Sequence, residues 1–328
     1  MPEGDTIHRA ARTLHRALAG RAVTRFESVF PALTRVDVDT PVRGRTIERV
    51  EARGKHLLMW FSGLSAVVPA GAEAEASAKA EPLVLRTHMR MNGSWHIYRP
   101  HERWQRRPDD MRIIVETDGL HAVAFNVPVA EMTTPEALER THPIRNLGPD
   151  PLSADFRAGD AVERIGSRTG MDIAYALLDQ SAIAGIGNVY KSEILFAGRI
   201  NPFAKVDVLT ATDLERLVAI AVKFMRANAA EGTPAAIETY RGLRRTTGRH
   251  DPGARLWVYG RAGKPCRRCG TPISRAKQGP HARSTYWCPR CQARTPNQNP
   301  EPAPNMPAFA RSASARSRRS NSGGGNTN

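Results

Sequence analysis

Apolar and polar positions change period twice along the chain. Over residues 3–19, Ile7, Ala10, Ala11, Leu14 and Leu18 recur at helical spacing, and Gly20 ends the run. From about 21 to 127 the period shortens to strand-like runs: AVTRFESV, TIERVEARG, HLLMWF, LVLRTHM, SWHIY, RIIVETD and HAVAFNV, separated by Gly, Pro and Asp. One helix followed by many short strands predicts an N-terminal β-sandwich with an N-terminal helix, covering 1–128. Residues 69–82 (PAGAEAEASAKAEP) offer nothing to a core and read as a solvated hairpin insertion. A Pro- and Gly-bearing stretch, 129–150, reads as a linker. Helical periodicity then returns in AGDAVERIGS, DIAYALLDQ, NVYKSEILFAG and TATDLERLVAIAVKFMRANAA, placing a helical domain at 151–261. A cysteine-bearing module follows at 262–292, and the Pro-, Ser-, Asn-, Gly- and Arg-rich residues 293–328 predict a disordered basic tail. The expected fold is therefore α+β with two main domains and a small third module.

Charge adds a partner class. The 328 residues carry 48 Lys plus Arg against 32 Asp plus Glu, a net +16, which points to a polyanion. The tail holds five Arg and one Glu, or +4, so +12 remains on the folded body. Only 7 of the 48 cationic residues are Lys, so a lysine inside a motif carries weight. No run approaches about 18 apolar residues, which excludes a transmembrane helix. MPEGDTIHRA lacks the basic and apolar regions of a secretory signal, so a cytoplasmic protein with no membrane partner is expected.

All four cysteines lie in two C-x-x-C knuckles, Cys266/Cys269 and Cys288/Cys291. This spacing suits one tetrahedral four-thiolate Zn2+ site better than two redox pairs; with its coordination shell closed, the metal is structural. Between the knuckles, Arg275, Lys277 and Arg283 read as the basic tip of a hairpin, either a phosphate clamp or a solvated loop. In LLDQSAIAGIGNVYKSEILF (177–196), a helix ends near Asp179 and another starts near Asn188 as its N-cap. Gly185 and Gly187 lead into it, which suits an anion on the free N–H groups or merely a tight turn. At the N-terminus, removal of Met1 exposes the secondary amine of Pro2 beside Glu3. An α-amino group titrates near ~7.7–8.0, so this one can act as a nucleophile with Glu3 as proton shuttle. The other reading is that Pro2 and the acidic residues simply start a helix.

PEG at 2–4, GKHLL at 54–58, the 177–196 block and the two knuckles, in this order, resemble the formamidopyrimidine-DNA glycosylase/endonuclease VIII (Nei) family of base-excision repair enzymes. The resemblance spans 2–292, and PEG followed by Asp-Thr together with RSTYWCPRC looks most like the actinobacterial endonuclease VIII branch. It implies a helix–two-turn–helix DNA-binding domain and a zinc-ribbon hairpin acting on damaged DNA. Pro2 would be the Schiff-base nucleophile, Glu3 the general acid/base and Lys55 a phosphate-binding lysine beside the lesion. Gly187 and Asn188 would bind phosphate from the helix–two-turn–helix element, and Arg283 from the hairpin. THMRMNGSW (87–95) matches the family's hairpin that fills the hole left by a flipped base, with Arg90, Met91 and Asn92 as candidates; Met91 equally suits a core position. The implied activity is a bifunctional glycosylase/AP lyase that removes oxidised pyrimidines and ends in β,δ-elimination, working as a monomer. Oxidised purines as substrate, or non-catalytic binding to damaged DNA, are the alternatives. One departure stands out: where much of the family has Pro-Glu after PEG, this chain has Asp5-Thr6, so a second carboxylate is either absent or shifted to Asp5.

Overall fold

The computed structural model describes residues 2–64, 81–230, 244–247, 249 and 251–293. Most of the 69–82 insertion and nearly all of the tail lie outside the described residues.

Helix α1 (Gly4–Leu18) presents Ile7, Ala10, Ala11, Leu14 and Leu18 to the interior, the stripe expected from their spacing. Two four-stranded sheets follow. One orders β1 (Val23–Ser28), β6 (Met111–Thr117), β7 (Leu120–Phe125) and β5 (Ser94–Tyr98), all antiparallel. The other orders β2 (Arg45–Arg53), β3 (His56–Leu64), β4 (Leu83–His88) and β8 (Val129–Thr133), again antiparallel. Leu57, Met59, Leu85, Trp95, Ile113 and Val115 fill one core with the α1 stripe. The sandwich expected from the alternation is thus present.

Two elements escape the hydrophobic pattern. Helix α2 (Pro31–Asp39) buries only Leu33, and β8 buries only Met132, so neither shows a clean period. Strand β8 also corrects the 129–150 linker: its first five residues complete a sheet against β4, and α3 (Pro135–Arg140) and α4 (His142–Arg145) follow.

The helical part contains α5 (Ala158–Gly166), α6 (Ile173–Ala176), α7 (Asn188–Ala197) and α8 (Ala211–Ala230), packed through Ile165, Ile173, Leu177, Ile186, Tyr190, Leu217 and Met225. The helix expected to run to Asp179 stops at Ala176. Leu177, Ala182 and Ile183 are apolar because the following turn is buried, not because the helix continues. Asp179 ties that turn through Ser181 N (2.9 Å), and Gln180 Oε1 accepts from Gly185 N (3.1 Å). A two-stranded ribbon, β9 (Ser274–Gln278) with β10 (Arg283–Trp287), closes the described chain.

Candidate active site

The PEG and GIG segments meet. Glu3 stands at the N-cap position of α1 but makes no side-chain cap there. Its carboxylate crosses to the N-terminus of α7, accepting from Gly187 N (3.2 Å), Val189 N (2.9 Å) and Tyr190 N (3.2 Å). Free N–H groups at a helix start favour an anion, and here the anion is the protein's own. The expected phosphate clamp at Gly187 is therefore corrected: those donors are committed to Glu3. The N-cap assignment changes too, since Gly187 is the cap and Asn188 the first helical residue.

Glycine explains how the segments approach so closely. Gly4 N donates to Gly185 O at 2.9 Å, and a Cβ on Gly4 would lie 2.9 Å from Gly185 Cα. At Gly187, a Cβ would fall 2.5 Å from Glu3 Cδ.

Asp5 has zero exposure and does not line the cleft described below. Arg244 grips it through Nη2–Oδ1 (2.7 Å) and Nε–Oδ2 (3.1 Å). The second carboxylate is thus present in sequence but engaged away from the reaction side.

Lys55 follows Gly54, whose φ of +58° makes the β2–β3 turn. Gly54 N donates to Asp150 Oδ2 at 2.8 Å, fixing that turn to the helical part. Lys55 Nζ donates to Ile186 O, placing it beside Glu3 and the start of α7. Burial pushes its ammonium down to about 8 against the pull of Glu3, and the cations of Arg283 and Arg244 push it the same way.

Arg283 opens β10 and is exposed, whereas Arg275 and Lys277 sit on β9, so the three expected at the hairpin tip lie on the strands that flank its 279–282 turn. The ribbon is docked by Lys191, wholly buried on α7, through Ser284 O (3.1 Å) and Thr285 Oγ1 (2.7 Å). Burial also pushes the Lys191 ammonium down to about 8. Gln278 completes the joint by donating to Asp172 Oδ2 (2.9 Å) and accepting from Thr285 Oγ1 (2.8 Å).

In the β4–β5 turn, Met91 is 59 % exposed, so the core position is excluded. Arg90 and Asn92 are exposed beside it. Arg90 adopts φ +48°, and its N–H donates to His88 Nδ1 at 3.0 Å. Burial, then the Arg90, Lys55 and Arg86 cations, hold His88 down to about 4, so it is neutral at pH 7 and remains an acceptor for that turn.

Pro2, Glu3, Lys55, His88, Arg90, Met91, Gly187, Asn188 and Arg283 line one cleft of about 420 Å³. Asn188 Oδ1 is buried there with no hydrogen-bond partner among the described residues. Asn92 is the one candidate of the turn that does not line it. Lys191, Arg244 and His88 were not singled out from the sequence. A signal existed only for Lys191, a rare lysine one helical turn after Asn188.

The four cysteine sulfurs all lie within 4.8 Å of one another, with Cys266–Cys291 at 3.9 Å and Cys269–Cys288 at 3.4 Å. A tetrahedral ion at a Zn–S distance of about 2.3 Å requires S···S near ~3.8 Å, so these residues fit one zinc. No sulfur pair is at bonding distance.

The cleft therefore combines Pro2, a helix-held carboxylate and cations from three segments, beside a ribbon whose four cysteines fit one zinc. Three family profiles match: Formamidopyrimidine-DNA glycosylase N-terminal domain (residues 1–128), Formamidopyrimidine-DNA glycosylase H2TH domain (147–238) and Zinc finger found in FPG and IleRS (263–294). The chain belongs to the formamidopyrimidine-DNA glycosylase/endonuclease VIII family. It is 39% identical to probable endonuclease 8 2 of Streptomyces coelicolor, covering 89% of this chain and 94% of that one. It is 34% identical to DNA-(apurinic or apyrimidinic site) lyase Nei2 of Mycolicibacterium smegmatis, covering 89% and 99%. Among solved structures, MutM in complex with carbocyclic 8-oxo-G containing DNA superposes with a TM-score of 0.70 at 20% identity, covering 89% of this chain and 100% of that one. Lactococcus lactis Fpg with abasic-site DNA gives 0.69 at 23%, with the same coverage. At these identities the structures speak to the fold alone.

Proposed function

We propose that the protein removes oxidised pyrimidines from DNA and cleaves abasic sites by β,δ-elimination, acting as a cytoplasmic monomer. The observation that carries the reading is the placement of Pro2 and Glu3 together at one cleft wall, Glu3 anchored by three N–H donors. With Met1 removed, the Pro2 lone pair forms a bond to C1′ of the damaged nucleoside. The glycosidic bond breaks, and its electron pair leaves with the base, which takes up a proton. Glu3 takes the proton of the attacking Pro2 nitrogen and delivers it to the sugar ring oxygen as the ring opens to the iminium; loss of a C2′ proton, its electron pair taken up by the iminium, lets the 3′ phosphate leave, and loss of the C4′ proton lets the 5′ phosphate leave in the same way. Lys55, Asn188 and Arg283 hold the phosphates of the strand that carries the lesion. Met91, exposed at the tip of its turn, enters the stack, with Arg90 and Asn92 flanking it. Zinc, when bound, supplies no chemistry beyond holding the ribbon.

Support for pyrimidine over purine lesions is the resemblance to endonuclease 8 proteins, the most similar of the relatives above. The test is a panel of duplexes with single lesions (5-hydroxyuracil, thymine glycol, 8-oxoguanine, a formamidopyrimidine, an abasic site) resolved on gels that separate β from β,δ products. Faster cleavage of the pyrimidine lesions with a 3′-phosphate product is expected. Preference for the purines, or products that stop at β-elimination, would overturn the finer reading.

A further inference from the structure

We propose that Asp5 and Arg244 form a positioning pair that holds Pro2 and Glu3 against the N-terminus of α7, a role that rests on the glycosylase/lyase reading above. The need for such a pair follows from where Glu3 points. Glu3 stands at the N-cap position of α1, but its carboxylate caps α7 and leaves α1 without a side-chain cap. The first turn of α1, which carries Pro2 and Glu3 at its mouth, must be held by something else.

Arg244 occupies that corner. Its guanidinium takes both oxygens of Asp5 (2.7 and 3.1 Å) and donates to Thr6 Oγ1 at 3.1 Å, so three of its contacts fall on the first turn of α1. On its other side it lies over the Tyr190 ring, 4.8 Å from the centroid, and Tyr190 N is one of the three donors to Glu3. One planar group therefore touches both helix starts that Glu3 bridges. Arg9 approaches Asp5 at 3.8 Å as a second cation.

A greasy pair of equal volume would hold two helices together with less desolvation. What the fork adds is direction: two parallel N–H···O bonds fix the rotation of the first turn, which sets where Pro2 and Glu3 stand. Arg244 also belongs to the electrostatics of the site. Burial works against its charged form, but Glu3 and Asp5 outweigh it and hold the guanidinium above its ordinary value.

Two variants separate position from mere packing: Asp5→Asn, which keeps shape, and Arg244→Lys, which keeps charge and loses the fork. Amide hydrogen exchange in the full-length zinc-loaded protein reads the geometry without activity. Val189 and Tyr190, whose N–H groups Glu3 holds, should exchange at least tenfold faster in both variants, with sandwich amides unchanged. Borohydride trapping on abasic-site DNA should slow about 10- to 100-fold, while the Kd for a duplex with a tetrahydrofuran abasic analogue changes less than about threefold. The double variant should trap no more slowly than the slower single one. Unchanged exchange at Val189 and Tyr190 overturns the pair, as does a parallel loss of trapping, binding and sandwich protection, which would mark a purely structural role. If wild-type protein fails to trap, the functional reading fails, and the exchange data still decide whether the pair positions Glu3.

Discussion

Changing Gly187 to Ala tests the join of the two glycine-bearing segments with a single methyl group. Gly187 has an ordinary extended backbone, φ −121°, so alanine brings no conformational strain. It brings only volume, with its Cβ 2.5 Å from Glu3 Cδ and 2.6 Å from Oε1. Carbon–carbon contact needs about 3.5 Å, so the carboxylate must retreat by roughly 1 Å. From bonds of 2.9–3.2 Å, that retreat leaves donors and acceptors beyond hydrogen-bond range. Each bond to a charged acceptor is worth about 1.5–3 kcal/mol, so the anchored position of Glu3 cannot persist. A catalytic group displaced by about 1 Å costs on the order of 100-fold in rate, equivalent to about 2.7 kcal/mol. We therefore expect single-turnover excision of 5-hydroxyuracil to fall about 100-fold, with binding to tetrahydrofuran-containing DNA within about threefold, because Lys55 and Arg283 are untouched. The loss should disappear when Gly187→Ala is added to Glu3→Ala, since the methyl acts through Glu3. Near-wild-type excision by Gly187→Ala, or a full further loss in the Glu3→Ala background, would refute the reasoning.

Other expectations follow from the same geometry. Chelating the zinc should release the β9–β10 ribbon and with it Arg283, raising the Kd for abasic-analogue DNA at least tenfold; zinc-free protein that binds normally would remove Arg283 from the grip. Lys55, with its ammonium near 8 in the free protein, is charged below that pH and loses its charge above it. Affinity should therefore fall as pH rises through 8 to 9, by up to about tenfold per unit, and Lys55→Gln should bind more weakly with no such slope. Met91→Ala should slow excision from duplex DNA about tenfold and leave trapping on a single-stranded abasic site unchanged, as measured in parallel reactions. Lys191 shows the opposite kind of linkage: its folded value lies below that of an unfolded lysine, so the unfolded chain binds more protons between about pH 8 and 10.5. Stability to urea should rise across that window and rise less steeply in Lys191→Met, in which Lys55 still contributes a slope of the same sign.

Much of the fold was legible because burial imposes period. The α1 stripe and seven of the eight sandwich strands bury regular sets of side chains and were read from them. Helix α2 and strand β8 bury one side chain each, so no period exists to read. The apolar run after Ala176 misled in the other direction, because a buried turn needs apolar residues as much as a helix does. At the site, Pro2, Glu3, Lys55, Asn188 and Arg283 are legible because each sits in a short motif. The destination of the Glu3 carboxylate was not: it depends on an approach between residues more than 180 positions apart. The same holds for Asp5, whose partner Arg244 is one of 41 arginines and carries no local mark.

The central claim is that the Pro2 nitrogen forms the covalent bond to DNA. Protein with Met1 shown by mass to be absent should be incubated with abasic-site DNA and borohydride, and the adduct mapped by peptide mass spectrometry. One adduct is expected, on the N-terminal peptide at Pro2. No adduct, or an adduct on Lys55 in its place, would contradict it.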